Sequence, residues 1–444
     1  MRYSLHCLTV IIATSVLATT TNQLHAAEFA GPIKVGPDHR HFLDAKGNPF
    51  FWLADTAWSM VVKLTPTQAD TYFDNRAKKG FTVVQTVLAW GNGTGSETPT
   101  PQANTAGEKV WTNDDPSKPN ETYFKHVDAL VKAAAAKGLV LALLPTWGYY
   151  VNDSTLFNKT NARAYGQWLG KRYRSTQNII WVNGGDRPAT GHEDVWRALA
   201  QGLREGDAGK HMITYHPCGL RSSSQYFHDE AWLSFNMIET YTYWTQVYPT
   251  VMSDFHRVPA KPVVMGEGAY EGGNYPTAFI SPLLARRQAW WTMMAGGYHT
   301  YGHGKVWNME TGWEEALDAP GAAQMGIMRE IMSAFPWETT LPDQGLFASG
   351  VGSEGTLNTA IKTPDGTKAL VYLSSRNPVF LHLDHISTKN VKVTLINPST
   401  GKRREPVSFA TGNLNGKRFA DDLVQPFQLP LQWEDAVLLL EGTP

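Results

Sequence analysis

Two carboxylates stand in glycine-rich segments where acid–base chemistry could take place. Asp186 follows Asn183-Gly184-Gly185, and Glu267 has a glycine on either side. Glycine allows sharp turns of the backbone, which leave a neighbouring side chain accessible. A pair of carboxyl groups across a cleft can cleave a glycosidic bond, because one group protonates the leaving oxygen while the other attacks the anomeric carbon or activates water. The structural alternative is that Asp186 pairs with Arg187 and that Glu267 caps a helix.

Further polar and aromatic side chains, like the two carboxylates, follow short apolar segments that have the composition of β-strands. Flat aromatic rings can pack on the C–H faces of sugars, and acids, amides and imidazoles can form hydrogen bonds with hydroxyl groups. The candidate substrate-binding residues are Asp55, Trp90, Trp147, Asn183, His216, Tyr241, His303 and Trp307. For each of them the alternative is packing within the fold or a satisfied hydrogen bond at a strand end. Glu271, four residues beyond Glu267, is the rival nucleophile.

An alternation of β-rich runs with helix-like patterns, between about residues 50 and 335, predicts the elements that position these side chains. The runs are Phe50–Ala54, Phe81–Leu88, Leu139–Leu144, Ile179–Val182, Met212–Tyr215, Leu233–Ile238, Val263–Met265 and the segment that begins at Tyr298. Eight such units suit an α/β fold of the (β/α)8 TIM-barrel type, in which the C-terminal ends of the strands open into one mouth. Carboxylates that are distant in the sequence are therefore expected to converge there.

Capping signals and one long connection add detail to this barrel. Thr65-Pro66-Thr67-Gln68 combines an N-cap threonine, a proline at the first helical position and a glutamine three residues after the cap. The fifth unit is weak, because residues 219–230 hardly have the pattern of a helix. Residues 91–120 are rich in Gly, Thr, Pro and Asn, and we expect this connection to border the mouth, where barrel active sites are built.

The two ends of the chain differ in character from the barrel. Arg2 precedes the apolar run Leu8–Ala18, and small residues follow at Leu24–Ala27, which is the order of a signal peptide cleaved near Ala26. After Trp337, short alternating runs separated by turn residues predict a C-terminal antiparallel β-sandwich. The predicted domains are a signal peptide at 1–26, a catalytic barrel at 27–337 and a β-sandwich at 338–444. We expect an exported protein, periplasmic or extracellular, without a membrane span.

The composition argues against several classes of function. The 39 Lys and Arg residues are balanced by 40 Asp and Glu residues, so the net charge of -1 offers no basic field for nucleic acid. One of the 2 cysteines, Cys7, lies in the predicted signal peptide, and Cys218 alone cannot build a disulfide framework. The 16 tryptophans exceed what a core usually demands, which favours a ligand with flat faces. The sequence leaves the oligomeric state open.

The motifs taken together resemble glycoside hydrolase family 140, whose activity is that of an apiosidase on pectic side chains. The resemblance runs through His41–Asp44, Pro49–Trp58, Phe81–Gln85, Trp181–Asp186 and Met265–Gly268. It implies a retaining hydrolase with Asp186 as acid/base and Glu267 as nucleophile, and a plant cell-wall oligo- or polysaccharide as substrate, with apiose released from rhamnogalacturonan II. The segment after residue 337 is similar to the β domain that commonly follows, whose family label names collagen binding.

The implied mechanism sets two physical expectations. The carboxyl groups of a retaining pair lie roughly 5 to 5.5 Å apart, whereas roughly 6.5 to 9.5 Å separates an inverting pair. Asp186 must also hold its proton in the free enzyme. We therefore expect a raised pKa for Asp186, caused by burial or by the charge of Glu267.

Two other classes of function compete with this interpretation. The close pairs His211 with His216 and His299 with His303 would suit a metal hydrolase, although residues 300–302 resemble a strand end and loop rather than the helix of a zinc protease. We expect no catalytic metal and no cofactor, so activity should be insensitive to chelators. The tryptophan surplus would also suit a noncatalytic polysaccharide- or matrix-binding protein. Such a protein would show no turnover, and removal of either carboxylate would leave its affinity for the polysaccharide unchanged.

Overall fold

The computed structural model describes residues 30–91, 97–154, 156–411 and 424–444. The predicted signal peptide at residues 1–26 lies outside these described residues. A short antiparallel pair, Lys34–Val35 with Phe42–Leu43, precedes the first strand of the main sheet.

Eight parallel strands form a nearly closed barrel, which confirms the predicted TIM-type fold. The strands are β1 (Leu53–Thr56), β2 (Val83–Val87), β3 (Val140–Leu144), β4 (Ile179–Gly184), β5 (Ile213–His216), β6 (Asn236–Glu239), β7 (Val263–Glu267) and β8 (Tyr298–Tyr301). From β1 to β5, and again from β6 to β8, neighbours along the chain pair in parallel, and β8 returns to pair with β1. A parallel bridge from Ile213 to Leu233 joins β5 to the chain just before β6.

Helices cover the outside of this barrel. They are α1 (Met60–Lys63), α2 (Pro66–Lys78), α3 (Glu121–Ala136), α4 (Tyr149–Asn152), α5 (Lys159–Tyr173), α6 (Glu193–Asp207), α7 (Ser224–Phe227), α8 (Val247–Phe255), α9 (Pro282–Met294), α10 (Trp313–Ala316) and α11 (Pro320–Ser333). The capping box predicted at Thr65 is present at the start of α2. The weak fifth unit is irregular, with a two-residue strand, Arg221–Ser222, and the single turn of α7. Among the described helices, none combines the length and the apolar character needed to cross a bilayer.

The barrel strands are buried along their whole length, and several of them end in an ionisable side chain. Every residue of β3, with the sequence VLALL, is buried, as expected for a parallel strand covered on both faces. By contrast, β5 ends in His216, β6 ends in Glu239 and β7 ends in Glu267. Because parallel strands end on the same side of the barrel, these side chains meet at one mouth.

Two antiparallel sheets form the predicted C-terminal sandwich. Its strands are β9 (Leu341–Pro342), β10 (Phe347–Ser349), β11 (Thr359–Lys362), β12 (Lys368–Leu373), β13 (Val379–His382), β14 (Asn390–Ile396), β15 (Val407–Ala410), β16 (Val424–Phe427) and β17 (Ala436–Thr443). The larger sheet has the order β9-β11-β12-β17-β14-β15, and the smaller one has the order β10-β13-β16. The two sheets share one apolar core, as the alternation of buried residues in the sequence predicted.

The larger sheet also packs on the barrel. Along β12, Val371 faces the core of the sandwich, whereas Leu370 and Tyr372 belong to the apolar cluster that contains α9. The ring of Tyr372 stacks on Trp290 of α9 at 5.6 Å. Strand β17 alternates in the same way, so the middle of the sheet is buried on both faces.

A buried ion pair joins the two domains. Arg286 of α9 donates two hydrogen bonds to Asp435, with N–O distances of 2.8 and 2.7 Å, and Tyr372 donates a third to the same carboxylate. Both charged side chains are almost fully buried. Removal of one partner of such a pair leaves the other charge without compensation in the interior, which is strongly unfavourable.

We therefore predict that Asp435→Asn lowers the free energy of unfolding by about 3–5 kcal/mol, because it leaves the Arg286 cation buried and unpaired. Urea denaturation followed by tryptophan fluorescence measures this loss. Glu434→Gln is the matched control, because Glu434 is 62% exposed and lies 3.6 Å from the same guanidinium. An exposed pair of this kind contributes about 0–1 kcal/mol. Equal losses of unfolding free energy in the two variants would contradict the conclusion that the buried pair stabilises the interface.

Candidate active site

Four ionisable side chains from successive strands converge in the mouth of the barrel. Asp186 follows β4, His216 ends β5, Glu239 ends β6 and Glu267 ends β7. One nitrogen or oxygen atom from each of the four lies within 4.8 Å of the corresponding atoms of the others. The sequence predicted that Asp186 and Glu267 would converge, and the structure brings them together. We call these four residues the carboxylate–histidine cluster.

Asp186 reaches the cluster through a turn that only glycine can provide. Gly184, Gly185 and Asp186 have φ angles of +89°, +122° and +48°. A Cβ atom on Gly184 would lie 2.1 Å from the carbonyl oxygen of His216, and one on Gly185 would lie 2.4 Å from the indole of Trp147. Both contacts are too short for any side chain, so the Asn-Gly-Gly-Asp motif is a requirement of close packing as well as of backbone conformation.

Glu267 is placed by an irregularity at the end of β7. The register between β7 and β6 shifts between Met265 and Glu267. Gly266 permits this shift, because a Cβ atom there would lie 2.6 Å from Met237 of β6. On the other side, the side chain of Gln288 of α9 accepts from the amide of Ala269 at 2.9 Å and donates to its carbonyl at 3.0 Å. The backbone that follows the carboxylate is thereby fixed to α9.

One oxygen of the Glu267 carboxyl group accepts a hydrogen bond, and the other lies near an imidazole nitrogen. The hydroxyl of Tyr270 donates to Oε1 at 2.5 Å, and that hydroxyl itself accepts from the indole of Trp58 at 3.0 Å. The Nε2 atom of His216 lies 3.3 Å from Oε2. Tyr270 and His216 thus place a hydroxyl group and an imidazole against the two oxygens of this carboxyl group. Sequence reasoning missed Tyr270, although its position three residues after Glu267 in the same strand-end loop could have drawn attention to it.

His216 is positioned to carry the positive charge. Its Nδ1 atom lies 3.0 Å from the carbonyl oxygen of Pro217, and its Nε2 atom faces Glu267. Both ring nitrogens therefore face acceptors, and a histidine can donate from both only when it is protonated. Burial lowers the pKa of His216, but the hydrogen bond and the charge of Glu267, with the charge of Asp186, outweigh this effect and raise it above its ordinary value.

Asp186 has the properties expected of a proton donor. Burial and the nearby charge of Glu267 raise the pKa of Asp186 to about 7. One oxygen of its carboxyl group, Oδ1, is inaccessible and has no hydrogen-bond partner among the described residues. The neighbouring Arg187 directs its guanidinium to Glu97 at 3.0 Å and to Asp153 at 2.7 Å. The structure therefore favours the functional interpretation of Asp186 over a simple pair with Arg187.

Aromatic rings form one wall of the site. Trp147 contacts Trp58 and Trp90 with centroid distances of 5.3 and 5.0 Å, and Trp90 contacts Trp307 at 6.3 Å. Trp90 and Trp147 are only 1% and 3% exposed, so they back the wall rather than offer open faces. Trp307 is half-buried, and Tyr241, which follows β6, is 44% exposed. Trp307 and Tyr241 are the rings with surface available for a sugar.

The structure does not bring two of the predicted binding residues into the cluster. Asp55 is fully buried and accepts hydrogen bonds from Tyr72 and Arg76 of α2, both at 2.5 Å. Asn183 directs its amide to the carbonyl oxygen of Trp196 in α6, at 3.4 Å. Successive residues of a strand point to opposite faces, and these two side chains point outward to the helices. Their predicted substrate contacts have no geometric support.

His303 and Glu271 belong to a neighbouring part of the structure. His303 is half-buried on the loop after β8, where its Nδ1 atom accepts from the amide of Lys305 at 3.1 Å. Glu271 accepts from the hydroxyl of Tyr301 at 2.5 Å and from the amide of Gly321, at the start of α11, at 3.1 Å. The carboxylate of Glu271 is therefore occupied in capping a helix. The alternative of Glu271 as nucleophile receives no support from this geometry.

The histidine pairs considered for a metal hydrolase do not form one site. His211 pairs with Asp207 at 2.9 Å, and burial lowers the pKa of His299 to about 3. Within the described ranges, two groups contain metal-binding residue types at short separation. One is the carboxylate–histidine cluster, and the other, on the C-terminal domain, comprises His382, Asp384 and His385. In the cluster, the pKa values of Asp186, Glu239 and His216 are all raised, so we interpret it as a site of proton chemistry.

Comparison with known proteins decides the family. A family model described as "Apiosidase-like, catalytic domain" matches residues 37–339. The chain belongs to the apiosidase-like family. The matched residues include the whole barrel and all four members of the cluster. No curated protein matches the apiosidase-like chain.

Solved structures agree with this membership. The apiosidase-like chain is 27% identical to a glycoside hydrolase family 5 protein from Bacteroides vulgatus, with 93% of this chain and 94% of that chain covered and a TM-score of 0.83. A second structure, called a glycoside hydrolase, is 26% identical, with coverages of 93% and 97% and a TM-score of 0.83. A β-L-arabinopyranosidase from Geobacillus stearothermophilus, 12% identical, with coverages of 89% and 96% and a TM-score of 0.54, shares the fold. The protein is thus a carbohydrate-active enzyme of the glycoside hydrolase type.

The contact between Tyr270 and Glu267 leads to a prediction. Tyr270→Phe removes a hydrogen bond to a charged group, which should lower kcat/KM for glycoside hydrolysis about 10- to 100-fold. Steady-state kinetics on the released sugar measures this effect. Tyr248→Phe is the control, because it removes a buried hydroxyl that has no partner among the described residues. If the two variants retained equal activity, Tyr270 would have no part in supporting Glu267.

Proposed function

We propose that the protein is an exported, retaining glycoside hydrolase that acts on pectic polysaccharide and releases apiose from rhamnogalacturonan II. The observation that carries the proposal is the pair Asp186 and Glu267, held in different electrostatic environments within one barrel mouth. The family match at residues 37–339 supports the substrate class. Exposed Arg221, on the loop after β5, is a candidate contact for the carboxylate of a galacturonate residue.

The proposed reaction is a double displacement. The carboxylate of Glu267 attacks the anomeric carbon, and the bond to the leaving oxygen breaks as that oxygen takes the proton of Asp186. In the second step, Asp186 removes a proton from water, the resulting oxygen attacks the anomeric carbon, and the bond to Glu267 breaks. The sugar leaves with the hydroxyl group, and both carboxyl groups return to their starting protonation states.

The separation of the carboxyl groups supports retention of configuration. Oxygen atoms of Asp186 and Glu267 lie within 4.8 Å of each other. An inverting enzyme needs roughly 6.5 to 9.5 Å between its carboxyl groups, because a water molecule must fit between base and substrate. The shorter separation in this barrel suits direct attack by Glu267 and a covalent intermediate on its carboxyl group. Proton NMR of the first-formed anomer tests retention directly, and an inverted product would remove this part of the proposal.

The raised pKa of Asp186 predicts the pH dependence. Asp186 must be protonated to act as the acid, so kcat/KM should fall tenfold per pH unit above about pH 7, where this group ionises. The measurement is kcat/KM between pH 5 and 9. An aryl glycoside with a good leaving group provides the control, because its departure needs little help from an acid and the alkaline fall should be weaker. An equally steep fall for both substrates would assign the titration to another group.

Substitution of the carboxylates tests the assignment of roles. Glu267→Gln should reduce sugar release from rhamnogalacturonan II to the background rate, because the amide cannot form the intermediate. Glu271→Gln, a buried glutamate in the same loop, is the matched control and should keep most of the activity. The released monosaccharide is identified by chromatography. If the wild type releases a different sugar and Glu267→Gln does not, the mechanism stands and that sugar replaces apiose as the product.

Two alternatives remain distinguishable by simple experiments. A noncatalytic polysaccharide-binding protein would release no sugar from any plant polysaccharide, while its affinity for the polymer would survive Glu267→Gln. A metal hydrolase built on the same cluster would lose activity after dialysis against a chelator. The proposed double displacement needs only the side chains, so chelator treatment should leave activity unchanged.

A further inference from the structure

We propose that Glu239 shares the acid proton with Asp186 and is a positioning residue for the general acid. This inference rests on the proposed role of Asp186 in the hydrolysis. Glu239 directly follows the predicted β-rich run Leu233–Ile238, but sequence reasoning gave it no role, and the family match assigns no role to individual residues.

The position of Glu239 makes it part of the cluster. It ends β6, it is 2% exposed, and its carboxyl group lies within 4.8 Å of Asp186, His216 and Glu267. The charge of Asp186 acts on this carboxyl group at that short range. Its distance to the Nδ1 atom of His216 is 3.8 Å, which is too long for a hydrogen bond.

One oxygen of each of these two carboxyl groups lacks a donor. Oε2 of Glu239 and Oδ1 of Asp186 are inaccessible and have no hydrogen-bond partner among the described residues. Two ionised carboxylates in contact would repel each other, and each would leave a buried acceptor unsatisfied. A single proton between them removes the repulsion and supplies the missing donor. This is the arrangement found wherever two carboxyl groups share a site and only one ionises readily.

The charges around the pair are consistent with one shared proton. His216 lies 3.3 Å from Glu267, so a positive charge on its imidazole is balanced by Glu267 before the pair of Asp186 and Glu239 is considered. Arg187 is held by Glu97 and Asp153, although its charge, like that of Glu97, acts on Asp186. Cys218, Tyr215, Tyr241 and Tyr270 also face this pair, and burial raises the pKa of each of them. Burial, followed by the charges of Asp186 and Glu267, raises the pKa of Glu239 well above its ordinary value.

A shared proton has a role in each step of the reaction. In the first step, Asp186 gives the proton to the leaving oxygen just as Glu267 loses its charge by forming a covalent bond. The net charge of the cluster therefore does not change. In the second step, the pair carries two negative charges, which makes Asp186 a stronger base toward water than a lone carboxylate would be. The proton taken from water restores the original pair, and the bond to Glu267 breaks.

The test is the pH dependence of kcat/KM for Glu239→Gln. Removal of the second carboxylate lowers the pKa of Asp186, so the alkaline limb should move to lower pH by about one unit or more. Glu239→Asp keeps a carboxyl group and should restore the limb toward its original position. Glu271→Gln, a buried glutamate outside the cluster, should leave the limb where it is. Circular dichroism and Tm establish that each variant is folded.

Two outcomes would overturn the inference. If Glu239→Gln raised KM and left the alkaline limb in place, Glu239 would be a contact for substrate hydroxyl groups and not a partner of the acid. If the limb moved equally in Glu271→Gln, the effect would be nonspecific. Carbon NMR titration of the aspartate carboxyl groups in wild type and Glu239→Gln measures the same change without substrate. A lower pKa of Asp186 in Glu239→Gln than in wild type would support the shared proton even if no sugar were released. This outcome separates the inference from the proposed function.

Discussion

The negative charge of Glu267 is the constraint on which the rest of the site depends. A carboxylate that is buried beside two other carboxyl groups is unfavourable unless opposite charge and hydrogen-bond donors surround it. The imidazole of His216, whose pKa is raised, lies 3.3 Å from one oxygen of Glu267, and the hydroxyl of Tyr270 donates a hydrogen bond to the other. The remaining carboxyl groups can then stay in the interior only if they hold a proton. In the proposed mechanism, the surroundings that compensate the charge of Glu267 therefore also leave Asp186 as the acid.

The scaffold meets this constraint through its backbone as much as through its side chains. Gly184 and Gly185 lie so close to β5 and to Trp147 that no Cβ atom fits at either position. On the opposite side of the mouth, Gln288 of α9 holds the backbone after Glu267 by two hydrogen bonds. Because both carboxyl groups are fixed by packed backbone, their separation does not depend on flexible loops. This is the preorganisation that acid–base catalysis in a barrel requires.

Periodicity and turn chemistry predicted most of the fold from the sequence, and strand ends predicted part of the site. The eight strands, the capping box at Thr65 and the irregular fifth unit follow from local patterns. The roles of Asp55 and Asn183 could not be predicted, because a strand end does not reveal which face a side chain takes. Glu239 and Tyr270 gained their importance only from tertiary contacts. The sequence pattern names the candidates at the strand ends, whereas the face that each side chain takes and the charge balance among them emerge only in three dimensions.

The two-sided burial of β12 and β17 has a consequence for how such proteins diversify. The helix that the larger sheet covers is α9, the same helix whose Gln288 anchors the segment after Glu267. The C-terminal domain is therefore not an interchangeable module. A replacement domain would have to present an acid to Arg286 and an aromatic ring to Trp290, or the barrel would expose that face to water. Changes at this junction are therefore limited by the packing of α9, because α9 also holds the segment after Glu267.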